Sequence, residues 1–171
     1  MIRVVVDDLA FVASDAIVRP ATARLEPTTP VARRLEQFGG PDFLRRLCLH
    51  NDLAVGAAVV TAAGGELPTE FVIHAVIQSD TEPVTRRSVE VAWRSALQRA
   101  QEWEFRRVTA PPIGTGAGNL PLEDAAEIMA GVLAGLAGHA SFPSDVAVVV
   151  ETVEDRDVFE AAVRRAQAAR P

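Results

Sequence analysis

The sequence has no lysine and no tyrosine, only two asparagines (Asn51 and Asn119), and one cysteine. All 17 basic side chains are therefore arginines. Arginine stays protonated where a desolvated lysine can lose its proton, so the chain offers no amine nucleophile and no Schiff-base lysine. A Walker-type phosphate lysine is missing too. Pyridoxal-phosphate enzymes, lysine aldolases and P-loop ATPases are thereby excluded. The lone Cys48 rules out an internal disulfide, and between Leu47 and Leu49 it reads as a small core residue. No apolar run approaches the roughly 18 residues of a membrane span. The opening strand-like run meets Asp7-Asp8 too soon for a signal peptide, so a cytoplasmic protein is expected.

What is present is ordinary in amount. A chain of 171 residues with 49% hydrophobic content suits one domain over residues 1–171, burying roughly 70% of its unfolded surface. A formal net charge of −6 argues against general nucleic-acid or anionic-membrane binding, but leaves room for a local positive pocket holding one anionic ligand.

Along the chain, Ile2 to Val6 reads as a buried strand and Asp15 to Val18 as a second, with irregular chain from Pro20 to Pro30. Val31 to Phe38, closed by Gly39-Gly40, and Asp42 to Leu49 read as helices. Val55 to Thr61 and Glu70 to Ile77 read as strands flanking a turn at Gly64 to Pro68. Pro83 to Phe105 is the longest helical stretch, with Val89, Trp93, Ala96, Leu97 and Ala100 on one face. Arg106 to Ala110 is a strand, broken by Pro111-Pro112. A helix from Pro121 to about Ala137 follows, then a strand from Ser144 to Val150 and a helix from Asp155 to Ala168. The alternation predicts a layered α/β fold with a mixed sheet. Gly131 and Gly135 are expected to serve close helix packing.

Two segments carry candidate chemistry. The loop Ile113 to Asn119 joins a strand to a helix N-terminus, where backbone N–H groups and the helix dipole favour phosphate, and its alternating glycines allow close approach. A plain flexible turn accounts for it equally well. Asp7 and Asp8 stand at the carboxyl end of the first strand, where ligands gather in open α/β sheets. A carboxylate there either accepts a hydrogen bond from an adenine amino group or simply faces water.

Together these segments resemble the macrodomain family, ADP-ribose-binding modules of three-layer α/β/α architecture with a mixed central sheet. The resemblance runs from about Val5 to Ala126. It rests on Asp8-Leu9 followed by Asp15-Ala16-Ile17-Val18; on Val55 to Thr61 through Leu67-Pro68 to Phe71 to Val76; and on Ala110-Pro111-Pro112-Ile113-Gly114-Thr115-Gly116-Ala117-Gly118 with Leu120-Pro121 and Ala125-Ala126 behind it. It implies that ADP-ribose or a related adenine nucleotide is the ligand, with ADP-ribosylated macromolecules as partners and no metal or cofactor. The ligand-binding positions it implies are Asp8 and Leu9 at adenine, Arg19 at a strand end near the diphosphate, Ala21 and Thr22 near the ribose, and Thr28, Thr29 and Val31 on the first phosphate loop. On the second loop they are Ile113, Gly114, Thr115, Gly116, Ala117, Gly118 and Asn119.

The departures from the family pattern decide what else is expected. Arg19-Pro20-Ala21-Thr22 stands where the family has Asn-Ala-Ala-Asn. Glu26-Pro27-Thr28-Thr29-Pro30-Val31 stands where it has a glycine-rich loop, and prolines remove N–H donors. The lysine route of one branch is closed, Glu36-Gln37 does not reproduce the glutamate pair of another, and Cys48, His50, His74 and His139 lack zinc-ligand spacing. A reader that binds ADP-ribose is the first expectation. A hydrolase with water positioned by Thr22, Thr28 or Asn119 is the alternative, and recognition of another ligand or a protein partner is a third.

Single residues carry their own expectations. His74 is expected to be a hydrogen-bonded structural histidine, His50 to lie at a helix C-terminus, and Trp93 and Trp103 to pack in the core. Phe11 either flanks adenine or joins the core. Arg19 either clamps phosphate or pairs with Asp7 or Glu26.

Overall fold

The computed structural model describes residues 1–116 and 119–169. A six-stranded sheet runs in the order β1 (Ile2–Val6), β6 (Asp145–Val150), β5 (Arg107–Ala110), β2 (Ala16–Thr22), β4 (Phe71–Gln78), β3 (Ala58–Ala62). Every neighbouring pair is parallel except β3 with β4. Helix α1 (Pro30–Leu47) covers one face, together with a single 3-10 turn at Leu9–Phe11. Helices α2 (Arg86–Glu102), α3 (Leu122–Leu136) and α4 (Val153–Ala168) cover the other. The result is the expected three-layer α/β/α arrangement around a mixed sheet.

Parallel strands covered on both faces lack polar–apolar alternation. Accordingly β2 is buried from Ala16 to Ala21, with Ile17 and Ala21 in the α1 cluster and Ala16 and Val18 in the opposite one. The strand also runs through Pro20, where the sequence suggested irregular chain. β5 pairs only with Ala16 and Ile17, so Pro20 lies beyond the stretch held on both sides, where a missing N–H is tolerated.

Helix α1 begins where Thr29 caps it, its Oγ1 accepting from Ala32 N at 3.2 Å, with Pro30 in the first turn. The two helices expected from the sequence are two arms of α1, joined across a kink at Gly40, whose φ of 76° suits glycine. Thr85 and Thr152 cap α2 and α4 in the same way. The strand expected from Val55 starts only at Ala58, because the chain turns at Gly56 with φ 96°.

Three packing expectations are corrected. Cys48 is exposed, since it is the cap residue ending α1 and points away from the cluster that takes Leu47. Trp103, at the end of α2, is 50% exposed and lies on Phe71 and Phe105 rather than inside, whereas Trp93 is fully buried. Gly131 and Gly135 are exposed, and a Cβ at either would meet nothing within 4 Å, so they serve no close helix approach. Among the described residues no helix is long and apolar enough to cross a membrane.

Candidate functional site

The carboxyl ends of the parallel strands bring together segments far apart in sequence. Asp7 N donates to Val150 O at 3.1 Å, so the Asp7-Asp8 pair sits beside Glu151 at the end of β6. Asp8 Oδ1 accepts from Ala10 N at 3.0 Å and caps the 3-10 turn. Its Oδ2 receives Arg34 Nη2 from α1 at 2.5 Å. A cavity of about 90 Å3 is lined there by Asp7, Asp8, Leu9, Ala10, Pro30, Val31, Arg34, Val149 and Glu151. On the far side of Pro30 a second cavity, about 380 Å3, is lined by Pro27, Thr28, Thr29, Pro30 and Arg33. Pro30 borders both cavities, and the stretch of surface they occupy along the first turn of α1, the groove, has Asp7, Asp8 and Glu151 with Arg34 at one end and Arg33 at the other.

The glycine loop faces that turn. Gly114 has φ 90° and Gly116 φ 124°, and the loop closes on itself through Asn119 N to Gly116 O at 3.1 Å and Leu120 N to Gly114 O at 2.9 Å. A Cβ on Gly116 would lie 3.8 Å from Thr29 Cγ2 and 3.9 Å from the Thr28 carbonyl oxygen. Thr28, Thr29, Gly116 and Asn119 are thus brought together across one seam. Thr115 stands beside Gly116, partly exposed. Ile113 and Gly114 are buried beneath, where a Cβ on Gly114 would meet Val89 Cγ2 at 2.4 Å. Leu9 and Ala21 are likewise buried, although Leu9 backs the small cavity and Val31 lines it. Ala117 and Gly118 lie outside the described residues.

Arg19 requires a correction. It is fully buried on the α1 face of β2, and its guanidinium is committed to protein groups. Nε donates to His74 Nδ1 at 2.9 Å, Nη1 pairs with Glu36 at 2.8 Å, and Nη2 donates to Leu25 O. It therefore neither reaches a phosphate nor pairs with Asp7 or Glu26. The carbonyl it holds belongs to a residue at φ 62°, an uncommon conformation for leucine. Arg19 thus ties down the turn between β2 and α1. Burial lowers its pKa, opposed by Glu36, yet arginine remains charged in proteins.

His74 is the structural histidine expected. Because Nδ1 accepts from Arg19, Nε2 carries the proton and donates to Thr61 Oγ1 at 2.8 Å. Burial first, then the Arg19 charge, hold its pKa well below 6.5. His50 follows the end of α1, its N–H bonded to Leu47 O at 3.2 Å. Phe11 does not belong to the core: it is 60% exposed and meets Phe38 edge-on at 5.2 Å.

Thr22 is occupied within its own turn. Its Oγ1 accepts from Glu26 N at 3.1 Å and lies 3.4 Å from the Glu26 carboxylate. The turn is closed by an Ala21–Pro27 bridge. Thr22 also borders a cavity of about 360 Å3 rich in acids, where Arg24 pairs with Asp52 and Asp80. Another cavity, of about 500 Å3, is remote from all of this, at the amino ends of β1 and β6, and its charged groups are the Met1 ammonium and Arg94. It shares no residue with the groove.

Sequence reasoning missed Arg33 and Arg34. Adjacent arginines on a helix are usually solvent-facing, and only the fold sets Arg34 against Asp8, 26 positions earlier, and brings Arg33 to a cavity that Thr28 also lines.

The sequence model of the Macro domain family matches residues 18–129. A macro domain-containing protein of Streptomyces coelicolor is 37% identical over 137 residues, covering 74% of this chain and 79% of that protein. An uncharacterized protein of Mycobacterium tuberculosis is 32% identical over 126 residues, 74% of this chain but 35% of that protein. The chain thus spans about a third of the length of its mycobacterial relatives. Among solved structures, an Oceanobacillus iheyensis macrodomain with ADP superposes at TM-score 0.83 with 22% identity, covering 95% of this chain and 89% of that one. A Trypanosoma brucei macrodomain in complex with ADP-ribose gives TM-score 0.83 and 22% identity, covering 95% and 68%.

Proposed function

The chain belongs to the macro domain family, and on that premise we propose that its groove binds ADP-ribose or a closely related adenine nucleotide, as a reader rather than an eraser. The observation that carries this reading is the polarity of one groove. A carboxylate stands at one end, and a cation, threonine side chains and the glycine loop stand at the other. That order matches a ligand with an amino-bearing base followed by a diphosphate. Proteins of the same fold solved with ADP and with ADP-ribose support the choice of ligand.

In binding, Asp8 accepts a hydrogen bond from the base amino group, for which Arg34 must release Oδ2. The diphosphate passes between the Thr28–Pro30 turn and the Gly114–Asn119 loop, where the missing side chain of Gly116 leaves room. The reader assignment rests on what is already engaged. Thr22 is held by Glu26 and Arg19 by Glu36, His74 and Leu25, so neither is available to orient water at the ribose.

Two measurements test this. Asp8→Ala weakens ADP-ribose binding by about ten-fold, the loss expected for a charged hydrogen bond; calorimetry giving unchanged affinity refutes the role of Asp8. Incubation with an automodified ADP-ribosylated protein leaves the modification in place. Release of ADP-ribose by the wild type, and not by Gly116→Glu, makes the protein a hydrolase instead.

A further inference from the structure

We propose that the outer edge of β1 pairs with the same edge of a second copy of this chain, joining two sheets into one about a two-fold axis at Val4. The inference is independent of the nucleotide reading. The strand order leaves β1 and β3 as the two edges of the sheet. In the parallel pairing with β6, Val146 N donates to Met1 O at 2.9 Å and Asp7 N to Val150 O at 3.1 Å, so the odd-numbered residues of β1 bond to β6. Ile2, Val4 and Val6 therefore turn their backbone N–H and C=O groups outward, with no strand beyond them among the described residues. Unpaired edges are ordinarily blunted by lysine, proline, a bulge or a covering group. β3 is guarded in this way, because Arg46 Nη1 donates to Ala62 O at 3.3 Å and to Ala63 O at 3.1 Å. Among the described residues β1 has no such guard. It runs Ile-Arg-Val-Val-Val in unbroken register with β6, its one charge, Arg3, is paired with Asp145 of β6 at 2.7 Å, and Val6 is 38% exposed.

The edge is also self-complementary, which a two-fold contact requires. Turning one copy about an axis perpendicular to the sheet at Val4 sets β1 antiparallel to the partner's β1. Ile2 then lies opposite the partner's Val6, and Arg3 opposite the partner's Val5. Apolar β-branched pairs of this kind stabilise antiparallel strands. Arg3 holds Asp145 through Nε and Nη2, which leaves Nη1 for the partner's Asp7, its diagonal neighbour on the same face. On the opposite face α4 packs over β1, and a cavity of about 370 Å3 stays open beside the edge, lined by Ile2, Val4, Glu160, Val163 and Arg164 among others. The same rotation brings the two α4 helices side by side and antiparallel. Glu160 then faces the partner's Arg164, and Arg164 the partner's Glu160. Within one chain these two charges meet only at 3.8 Å. Moving the axis to Arg3 would set two arginines against each other, whereas Val4 as centre pairs the whole strand and keeps like charges apart.

Analytical ultracentrifugation over a concentration series reads the association, and the wild type is expected to dimerise reversibly. Glu160 and Arg164 supply variants that leave the core alone. Glu160→Arg and Arg164→Glu are each expected to raise the dimer dissociation constant about ten-fold, since each sets like charges against one another twice across the axis. An equimolar mixture of the two variants is expected to recover the wild-type constant as a heterodimer, in which opposite charges meet again. Amide hydrogen exchange locates the contact. Protection at Ile2, Val4 and Val6 should rise with protein concentration, while that at Arg3 and Val5, already bonded to β6, stays constant. A chain that is monomeric at every concentration overturns the proposal, as does a dimer whose Val4 amide exchanges freely, or a mixture of variants that fails to recover. Protection of Val4 that appears only when an unrelated extended peptide is added assigns the edge to peptides and overturns it as well.

Discussion

The two faces of the sheet are built on different terms. The face under α2, α3 and α4 is a large apolar cluster centred on Trp93, whose one polar atom, Nε1, donates to Met129 O at 3.3 Å. The face under α1 is smaller, and a polar chain runs through it from Glu36 through Arg19 and His74 to Thr61. Phe43 stacks on His74 with ring centroids 5.9 Å apart, which encloses the chain in apolar surroundings. The proposed groove lies along this second face, on the same helix that Arg19 fastens. One face supplies cohesion by area; the other fixes the relative positions of α1, the turn at Leu25 and β4 by directed bonds.

That contrast can be broken from either side. Trp93→Ala has the largest expected effect, a loss of about 3–5 kcal/mol for deleting a buried aromatic. Chemical denaturation measures it, and the folded fraction should keep its ligand affinity. Arg19→Met is expected to cost about 3 kcal/mol, because Glu36, His74 and the Leu25 carbonyl lose a shared partner. Here affinity should fall as well, since the turn leading to Thr28 is released. A variant that loses stability but binds normally would reduce Arg19 to ordinary core.

The smallest effect is on pH dependence. An unfolded histidine titrates near 6.5, whereas His74 in the folded protein is held neutral to well below that value, chiefly by burial. Below about pH 6.5 the unfolded chain therefore binds the extra proton, and stability falls as pH falls, by up to about 1.4 kcal/mol per pH unit. His74→Gln should flatten the slope between about pH 6.5 and 5; an identical slope would show that His74 is not its source.

How far the sequence reveals all this depends on the range of the interaction concerned. The break at Gly39-Gly40 and the unbroken apolar strands are local, and they are visible in the residues themselves. So is the glycine loop, whose positive φ angles at Gly114 and Gly116 require glycine. The position of β2 through Pro20 was hidden, because tolerance of a proline depends on where β5 stops pairing. Arg19 misled for a similar reason: its side-chain partners Glu36 and His74 lie 17 and 55 positions away in sequence. Cys48, set between Leu47 and Leu49, and Trp103, a large aromatic at the end of α2, each had the residue type of a core without its position.

The central claim is that the groove along α1 is a nucleotide site. Calorimetric titration of ADP-ribose into the wild type and Gly116→Glu tests it most directly. The account predicts saturable heat for the wild type and its loss in the variant, where a carboxylate is placed opposite Thr28 and Thr29. An absence of heat from the wild type at millimolar ADP-ribose, or equal binding by both proteins, would contradict it.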